Sequence, residues 1–314
     1  MNDIPKKILV IRLGRIGDMV LSRPLIAQIR NRFKEAEIDV LASQDNHKIV
    51  RKDDFVNEVI VWDKNPLKAI PTILKLRSKN YDILIEPKDH FSQESQIIAS
   101  VVNAKKSIGF QRDENSVFDI GISKYNNDYS HFQDRILSTA KALDIAPDFE
   151  NNQALFYEKE LNIDRLDYYL FNIAASSESK SIGVELAKKI LKELKNNNAK
   201  VKIITAPNNI QIAQELSDNS GYDILTTKSI VATFEYIDKC KGLITADTSL
   251  VHIAGTFNTP VLVYSKSIER ELIKFAPKSK VNIVVKSDSN DFINLSDDKI
   301  SSSISDFLTR TMDQ

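Results

Sequence analysis

Cysteine is almost absent from this 314-residue chain: a single residue, Cys240, rules out an internal disulfide framework and a cysteine-built metal cluster. Its place between Ile237 and Leu243 reads as a small buried apolar side chain, because thiol chemistry needs a neighbouring base and none is in view. No surplus of either charge exists: 43 Lys and Arg stand against 43 Asp and Glu, and the balance holds within each half. A nucleic-acid partner held by phosphate neutralisation needs a basic excess, so none is expected; a local anion pocket is not excluded. No apolar run approaches the ~18 residues that span a bilayer. The opening Met-Asn-Asp-Ile-Pro-Lys-Lys leads straight into a strand, without the apolar core of a signal peptide. A cytoplasmic protein is expected. Neither the dinucleotide fingerprint Gly-x-Gly-x-x-Gly nor a phosphate loop of the Gly-Lys-Ser type follows the first strand.

What the chain does have is alternation. Short apolar runs at 8–11, 38–41, 59–61, 83–85 and 107–110 read as buried strands, separated by helical spacing at 21–33, 66–79, 93–103 and 131–143. Pro24 sets the start of the first helix, and Pro71 implies a late start or a kink in the second. The second half repeats the pattern, with strands at 169–173, 201–204, 242–245, 261–264 and 281–285 and helices at 183–196, 209–219, 230–240 and 249–257. The tail, 296–311, has helical spacing at Ile300, Ile304, Phe307 and Leu308. Residues 147–165, with Pro147 and the Asn151-Asn152 pair, read as a linker. The expectation is an α/β chain with two parallel-sheet domains, 1–155 and 165–295, followed by a terminal helix at 296–314. Ligands of such sheets bind where the carboxyl ends of the strands meet a cleft.

Two turns carry candidate chemistry. After the first strand comes Arg12-Leu-Gly-Arg-Ile-Gly-Asp18, whose glycines permit a tight turn and close backbone approach. Asp18 has two compatible readings: a helix cap, and a carboxylate at the strand end able to take a proton from a hydroxyl. Arg12 and Arg15 are either solvated loop charges or contacts for an anionic acceptor. In the second half, Gly242-Leu-Ile-Thr-Ala-Asp-Thr-Ser-Leu-Val-His-Ile-Ala254 reads as strand, sharp turn and helix. Asp247, Thr248 and Ser249 all start helices well, and such a helix end attracts phosphate. His252 lies one turn further in, on the side of Thr248 or Ser249; it is either a core histidine or a phosphate ligand. The small-residue loop after the strand at 169–173 delivers Ser176 and Lys180, a second anion contact or an ordinary solvated turn.

These segments together resemble glycosyltransferase family 9, the ADP-heptose:lipopolysaccharide heptosyltransferases. Lys7-Ile-Leu-Val-Ile-Arg-Leu-Gly-Arg-Ile-Gly-Asp-Met-Val-Leu is similar to the family's opening strand and Gly-Asp turn. Asn103-Ala-Lys-Lys-Ser-Ile-Gly-Phe110 resembles a second family strand, and His131 and Asp134-Arg135 fall where the family has a His and an Asp-Arg pair. The most specific block is Asp247-Thr-Ser-Leu-Val-His252-Ile-Ala, followed by Thr259-Pro260. The resemblance implies a GT-B fold, two Rossmann-like domains with parallel sheets facing an interdomain cleft. It implies inverting, metal-independent transfer of heptose from ADP-heptose to a lipopolysaccharide core or related surface glycan, with no cofactor. Asp18 would be the general base. Ser176, Lys180, Thr248, Ser249, Leu250 and His252 would hold the donor diphosphate, and Asp247 would contact the sugar or fix the turn. A lipid-linked acceptor would bring the protein to the inner face of the cytoplasmic membrane.

The sequence departs from the family where the nucleoside is held: the Arg, Trp and Pro after Lys180 are replaced by Ser181-Ile182-Gly183, a glutamate is replaced by Asn209, and the Gly of Asp-Thr-Gly is Ser249. A family member with another nucleotide-sugar donor or acceptor is therefore an alternative reading. A non-catalytic two-domain ligand-binding protein is a second. One further segment, 67–79, sets Lys68, Lys75, Arg77 and Lys79 beside Leu67, Ile70 and Leu74. It reads either as a helix lying on an anionic surface or as a surface helix with its apolar face in the core.

Overall fold

Each run of alternating strand and helix closes into a six-stranded, all-parallel sheet. The computed structural model describes residues 4–90, 92–110, 117–122, 131–150, 154–161, 164–173, 181–266, 269–289 and 293–312. The chain divides into two compact units, 1–156 and 157–314.

In the first unit the strands are β1 (Lys7–Arg12), β2 (Glu37–Ser43), β3 (Glu58–Trp62), β4 (Ile83–Glu86), β5 (Lys106–Phe110) and β6 (Ile120–Ile122), in the spatial order β3-β2-β1-β4-β5-β6. Registers such as Ile8 beside Ile38 and Ile83 place β1 at the centre. Its residues Ile8 to Ile11 are wholly buried, as expected of a parallel strand covered on both faces. The helices are α1 (Ile16–Arg32), α2 (Pro66–Ser78), α3 (Gln93–Val102) and α4 (Phe132–Ser138).

The second unit repeats the plan with β7 (Tyr169–Asn172), β8 (Val201–Thr205), β9 (Asp223–Thr226), β10 (Gly242–Ala246), β11 (Val261–Ser265) and β12 (Asn282–Lys286), ordered β12-β11-β10-β7-β8-β9. Its helices are α5 (Val184–Asn196), α6 (Ile210–Ser220), α7 (Phe234–Lys239), α8 (Ser249–Phe257), α9 (Glu269–Lys274) and α10 (Asp297–Met312). The terminal helix belongs to this unit's core: Ile300, Ile304, Phe307 and Leu308 pack with Tyr169 and Phe171, and the Tyr169 and Thr311 hydroxyls are 2.6 Å apart. A Cβ on Gly242 would come within 2.7 Å of the Phe307 ring, so that strand position has room only for glycine.

Both sheets have the doubly wound relative order 3-2-1-4-5-6. The direction of winding reverses between β1 and β4 in one sheet and between β7 and β10 in the other. Crevices for ligands open at such switch points, beyond the carboxyl ends of the strands.

Several expectations are corrected. α1 starts at Ile16, five residues earlier than the apolar spacing indicated, and Pro24 lies inside it; the Gly-Asp turn, not the proline, sets the start. α2 starts at Pro66 with Asn65 as its cap, so Pro71 does not delay it. The helix expected over 131–143 splits into α4 and a 3-10 turn, Thr139–Leu143. β6 and β9 were not foreseen, being short edge strands with few buried side chains. Residues 147–165, read as a linker, contain the boundary between the two units, and beyond Phe156 the described part is tied to the second unit. The buried Glu235 carboxylate accepts the N–H groups of Glu160 (2.7 Å) and Leu161 (3.0 Å), and Tyr157 donates its hydroxyl to Asp238. Cys240 is buried, its thiol donating to the Ile237 carbonyl at 3.4 Å; burial pushes its pKa up to about 12. Among the described residues no helix is long and apolar enough to cross a membrane.

Candidate functional site

The Gly-Asp turn sits at the first switch point. β1 ends at Arg12, and α1 begins after the Arg15 cap, whose extended backbone turns the chain. Asp18 is the third residue of α1. Its Oδ2 accepts the Arg15 backbone N–H at 2.8 Å, which satisfies a donor that the helix cannot. Its Oδ1 lies 3.1 Å from Arg12 Nη2, while Arg12 Nε donates to the Asp18 carbonyl at 3.2 Å. The Asp18 side chain remains about a quarter exposed (28%), whereas that of Arg12 is 1% exposed. Gly14 is required by this packing: a Cβ there would be 2.4 Å from Asp18 Oδ2. The turn is anchored from β2, where Ser43 Oγ donates to the Gly14 carbonyl (2.7 Å) and Asn46 Nδ2 to the Arg12 carbonyl (3.0 Å).

Arg12 is thus a strand-end cation inside the protein rather than a loop charge in water. Burial lowers its pKa, and Asp18, Glu86 and Asp89 raise it again. Its guanidinium also lies over the Phe132 ring, 5.3 Å from the centroid. Glu86 and Asp89 come from the end of β4, across the switch point, and both are buried. Asp89 pairs with Arg135 Nη1 at 2.8 Å. Pattern reading missed Glu86 and Asp89. The only signal was a pair of acids at the end of a short apolar strand, and nothing local ties them to Arg12. Of the resembling pair Asp134-Arg135, the arginine joins this network, and His131 caps α4 by accepting the Gln133 N–H at Nδ1 (3.1 Å). Arg15 is exposed at the start of α1.

The second turn sits at the second switch point, between β10 and α8. Of the three helix-start residues, Thr248 is the cap: its Oγ1 accepts the Leu250 N–H at 3.2 Å. Ser249 and Leu250 open the helix; Leu250 is buried, while Asp247, Ser249 and His252 are half-buried. The first turn of α8 carries no acidic residue; the nearest acid, Asp247, lies just before the Thr248 cap. Beneath it, Asn172 at the end of β7 donates to Thr245 Oγ1 at 2.9 Å, tying the two strands that flank the switch point. The His252 ring is 6.1 Å from that of Phe275. Ser176 and Lys180 lie outside the described residues. Asn209 closes a 3-10 turn after β8 and precedes α6, half-buried.

Residues 72–298 match the family profile described as glycosyltransferase family 9 (heptosyltransferase). The chain belongs to that family. It is accordingly a glycosyltransferase, and its two parallel sheets form a GT-B fold. Among solved structures it is similar to a family 9 glycosyltransferase from Veillonella parvula (14% identity, TM-score 0.82, covering 97% of this chain and 98% of the other). It is also similar to the E. coli heptosyltransferase WaaC solved with ADP (15%, 0.78, 96% and 99%). The E. coli ADP-heptose lipopolysaccharide heptosyltransferase II is a third (17%, 0.77, 97% and 99%). No curated protein sequence matches. At these identities the structural likeness carries the fold; the family assignment rests on the profile.

Proposed function

We propose that this family 9 enzyme transfers heptose from ADP-heptose to a lipopolysaccharide core or related surface glycan, by inverting, metal-independent displacement. Asp18 is the general base: it takes the proton of the acceptor hydroxyl as that oxygen attacks the anomeric carbon and the ADP oxygen leaves. A base must be held in one geometry yet reachable, and the carboxylate of Asp18 is both, fixed by Arg12 and the Arg15 N–H with one quarter of its surface open. Arg12 acts by orienting Asp18; Arg15, exposed beside it, is the contact for an anionic acceptor.

On the donor side, the α8 start binds the diphosphate. Charge develops on the leaving ADP, and helix N–H groups, the hydroxyl of Ser249 and the imidazole of His252 stabilise it without reorganising. Thr248 shapes this end as the cap, Leu250 packs under it and Asp247 borders the sugar. Ser176 and Lys180 supply the remaining phosphate contacts. The observation that carries the reading is the pairing of unlike turns at the two switch points, one built around a carboxylate and one lacking any acid in its first helical turn. Complexes of a similar enzyme support the donor: WaaC has been solved with ADP and with ADP-2-deoxy-2-fluoro heptose. The protein works in the cytoplasm, meeting a lipid-linked acceptor at the membrane.

The test is ADP release and product NMR with ADP-heptose and a core acceptor. Inverted anomeric configuration and loss of turnover in Asp18→Asn are expected; full turnover in that variant overturns the base. A second reading, another nucleotide-sugar, is favoured by Asn209, a neutral residue where the family has a glutamate. Titration with UDP- and GDP-sugars beside ADP-heptose separates the two.

A further inference from the structure

α2 faces the wrong way for a helix serving the core. Leu67, Ile70 and Leu74 recur at helical spacing on one side, and they are 82%, 58% and 62% exposed; Leu76, on the opposite side, is the buried one. Pro71 lies in the same exposed stripe. The reading in which the apolar stripe of 67–79 enters the core is therefore corrected: the contacts with β3 and α3 are made by the other face. Three large aliphatic side chains lined up in water on thirteen residues are unlike the single scattered apolar residues of an ordinary surface.

Charge says what covers them. The helix Pro-Leu-Lys-Ala-Ile-Pro-Thr-Ile-Leu-Lys-Leu-Arg-Ser contains Lys68, Lys75 and Arg77 and no acid. At 100° per residue Lys68 and Lys75 flank one edge of the stripe and Arg77 the other. The counterions of the two lysines sit deeper: the Lys68 side chain is 69% exposed, its partner Asp63 24%, while Arg77 donates to the Val101 carbonyl at 2.8 Å. Lys75 pairs with Glu58 on β3, again the less exposed of the two. The outermost layer is thus aliphatic along the middle and cationic at both edges, the arrangement of a helix lying in the plane of an anionic interface with its long basic side chains reaching the headgroups. A second copy of the chain fits less well, because a self-complementary contact of this face would set cations against cations.

We infer that α2 is a membrane-docking surface, and that Leu67, Ile70 and Leu74 insert into the headgroup region of an anionic bilayer. This rests on the helix alone and not on the identity of donor or acceptor. The experiment is flotation of the full chain with vesicles of phosphatidylcholine alone or mixed equally with phosphatidylglycerol, carrying no sugar acceptor. Binding to the mixed vesicles, weakened by salt, is expected. A Leu67→Gln/Leu74→Gln variant, altered only at exposed positions, loses at least tenfold in binding; Lys68→Gln/Lys75→Gln loses the preference for anionic lipid. Absence of vesicle binding, or binding unchanged in the leucine variant, overturns the inference. So does light scattering that shows a dimer broken by the leucine variant, which would assign the face to a second copy. Because no acceptor is present, failure here leaves glycosyl transfer standing, and failure of transfer leaves the docking result standing.

Discussion

The two turns both lie at the switch point of matched folds and are built on different electrostatics. In the first, α1 receives an anion from its own chain: Asp18, in its first turn, accepts the Arg15 N–H and faces the buried Arg12. In the second, α8 is capped by the uncharged Thr248 and has no acid in its first turn. A helix start whose own carboxylate fills it presents that carboxylate to a substrate; a helix start left without one presents N–H groups and a positive dipole end. One fold thereby provides a proton acceptor and an anion cradle from the same strand-turn-helix unit. The units also differ in which strand carries the turn, β1 in one and β10, the fourth strand of its sheet, in the other. Tandem copies of a topology need not place chemistry at equivalent strands.

The comparison breaks most sharply at Asp18. Asp18→Asn retains a cap for Arg15 but cannot take a proton, so kcat falls by about 10²–10⁴-fold with little loss of ADP binding; steady-state kinetics with ADP titration calorimetry read both. Gly14→Ala is the structural counterpart. The new Cβ drives the carboxylate off its site, costing about 1–3 kcal/mol of stability by overpacking and lowering kcat without touching substrate; denaturant unfolding and kinetics measure it. At the other turn Thr248→Ala removes the cap and costs about 1 kcal/mol, whereas Thr248→Ser keeps the hydroxyl and restores it. Weaker ADP binding in the alanine variant, with no change at Asp18, would keep the division of labour between the turns.

The smallest effect concerns acid. In the first unit Glu37, Glu58, Asp82 and Asp119 are held below the ordinary carboxylate range, chiefly by bonds from Lys79, Lys75, Lys105 and the Ser107 hydroxyl respectively. A carboxylate whose folded pKa lies below its unfolded one adds stability above the unfolded value, and that stability is lost as pH falls through the folded one. In the second unit Asp167 and Asp288 are lowered too, chiefly by Lys200 and Lys299, but these pairs are more exposed and therefore more screened. Below about pH 4 the amides of β2 and β3 should exchange hydrogen earlier than those of β10 and β11. Mass-resolved exchange reads the order, and the reverse order would count against these pairs as a source of first-unit stability.

Much of this was legible locally. The β1 run, 8–11, and the helix 249–257 lie where apolar spacing and turn residues put them, since a buried parallel strand and a capped helix are written in consecutive residues. The start of α1 was not, because Pro24 is the stronger local signal and the Asp18 contact to Arg15 is a matter of three-dimensional turn geometry. Edge strands β6 and β9 left no apolar pattern to read.

Sequence by itself determined the alternation of strands and helices, the family motifs and the small buried cysteine, for each is encoded within a few neighbouring positions. Tertiary structure decided three things. It buried Arg12 beside Asp18 and within the field of Glu86 and Asp89, which come from the end of β4, a strand adjacent to β1 only in the sheet. It set both turns at points where the strand order reverses, which depends on the pairing of β1 with β4 and of β7 with β10. It turned the leucines of α2 outward. Helical periodicity fixes which side chains share a face, but only the packing of α2 on β3 and α3 selects the face that meets solvent.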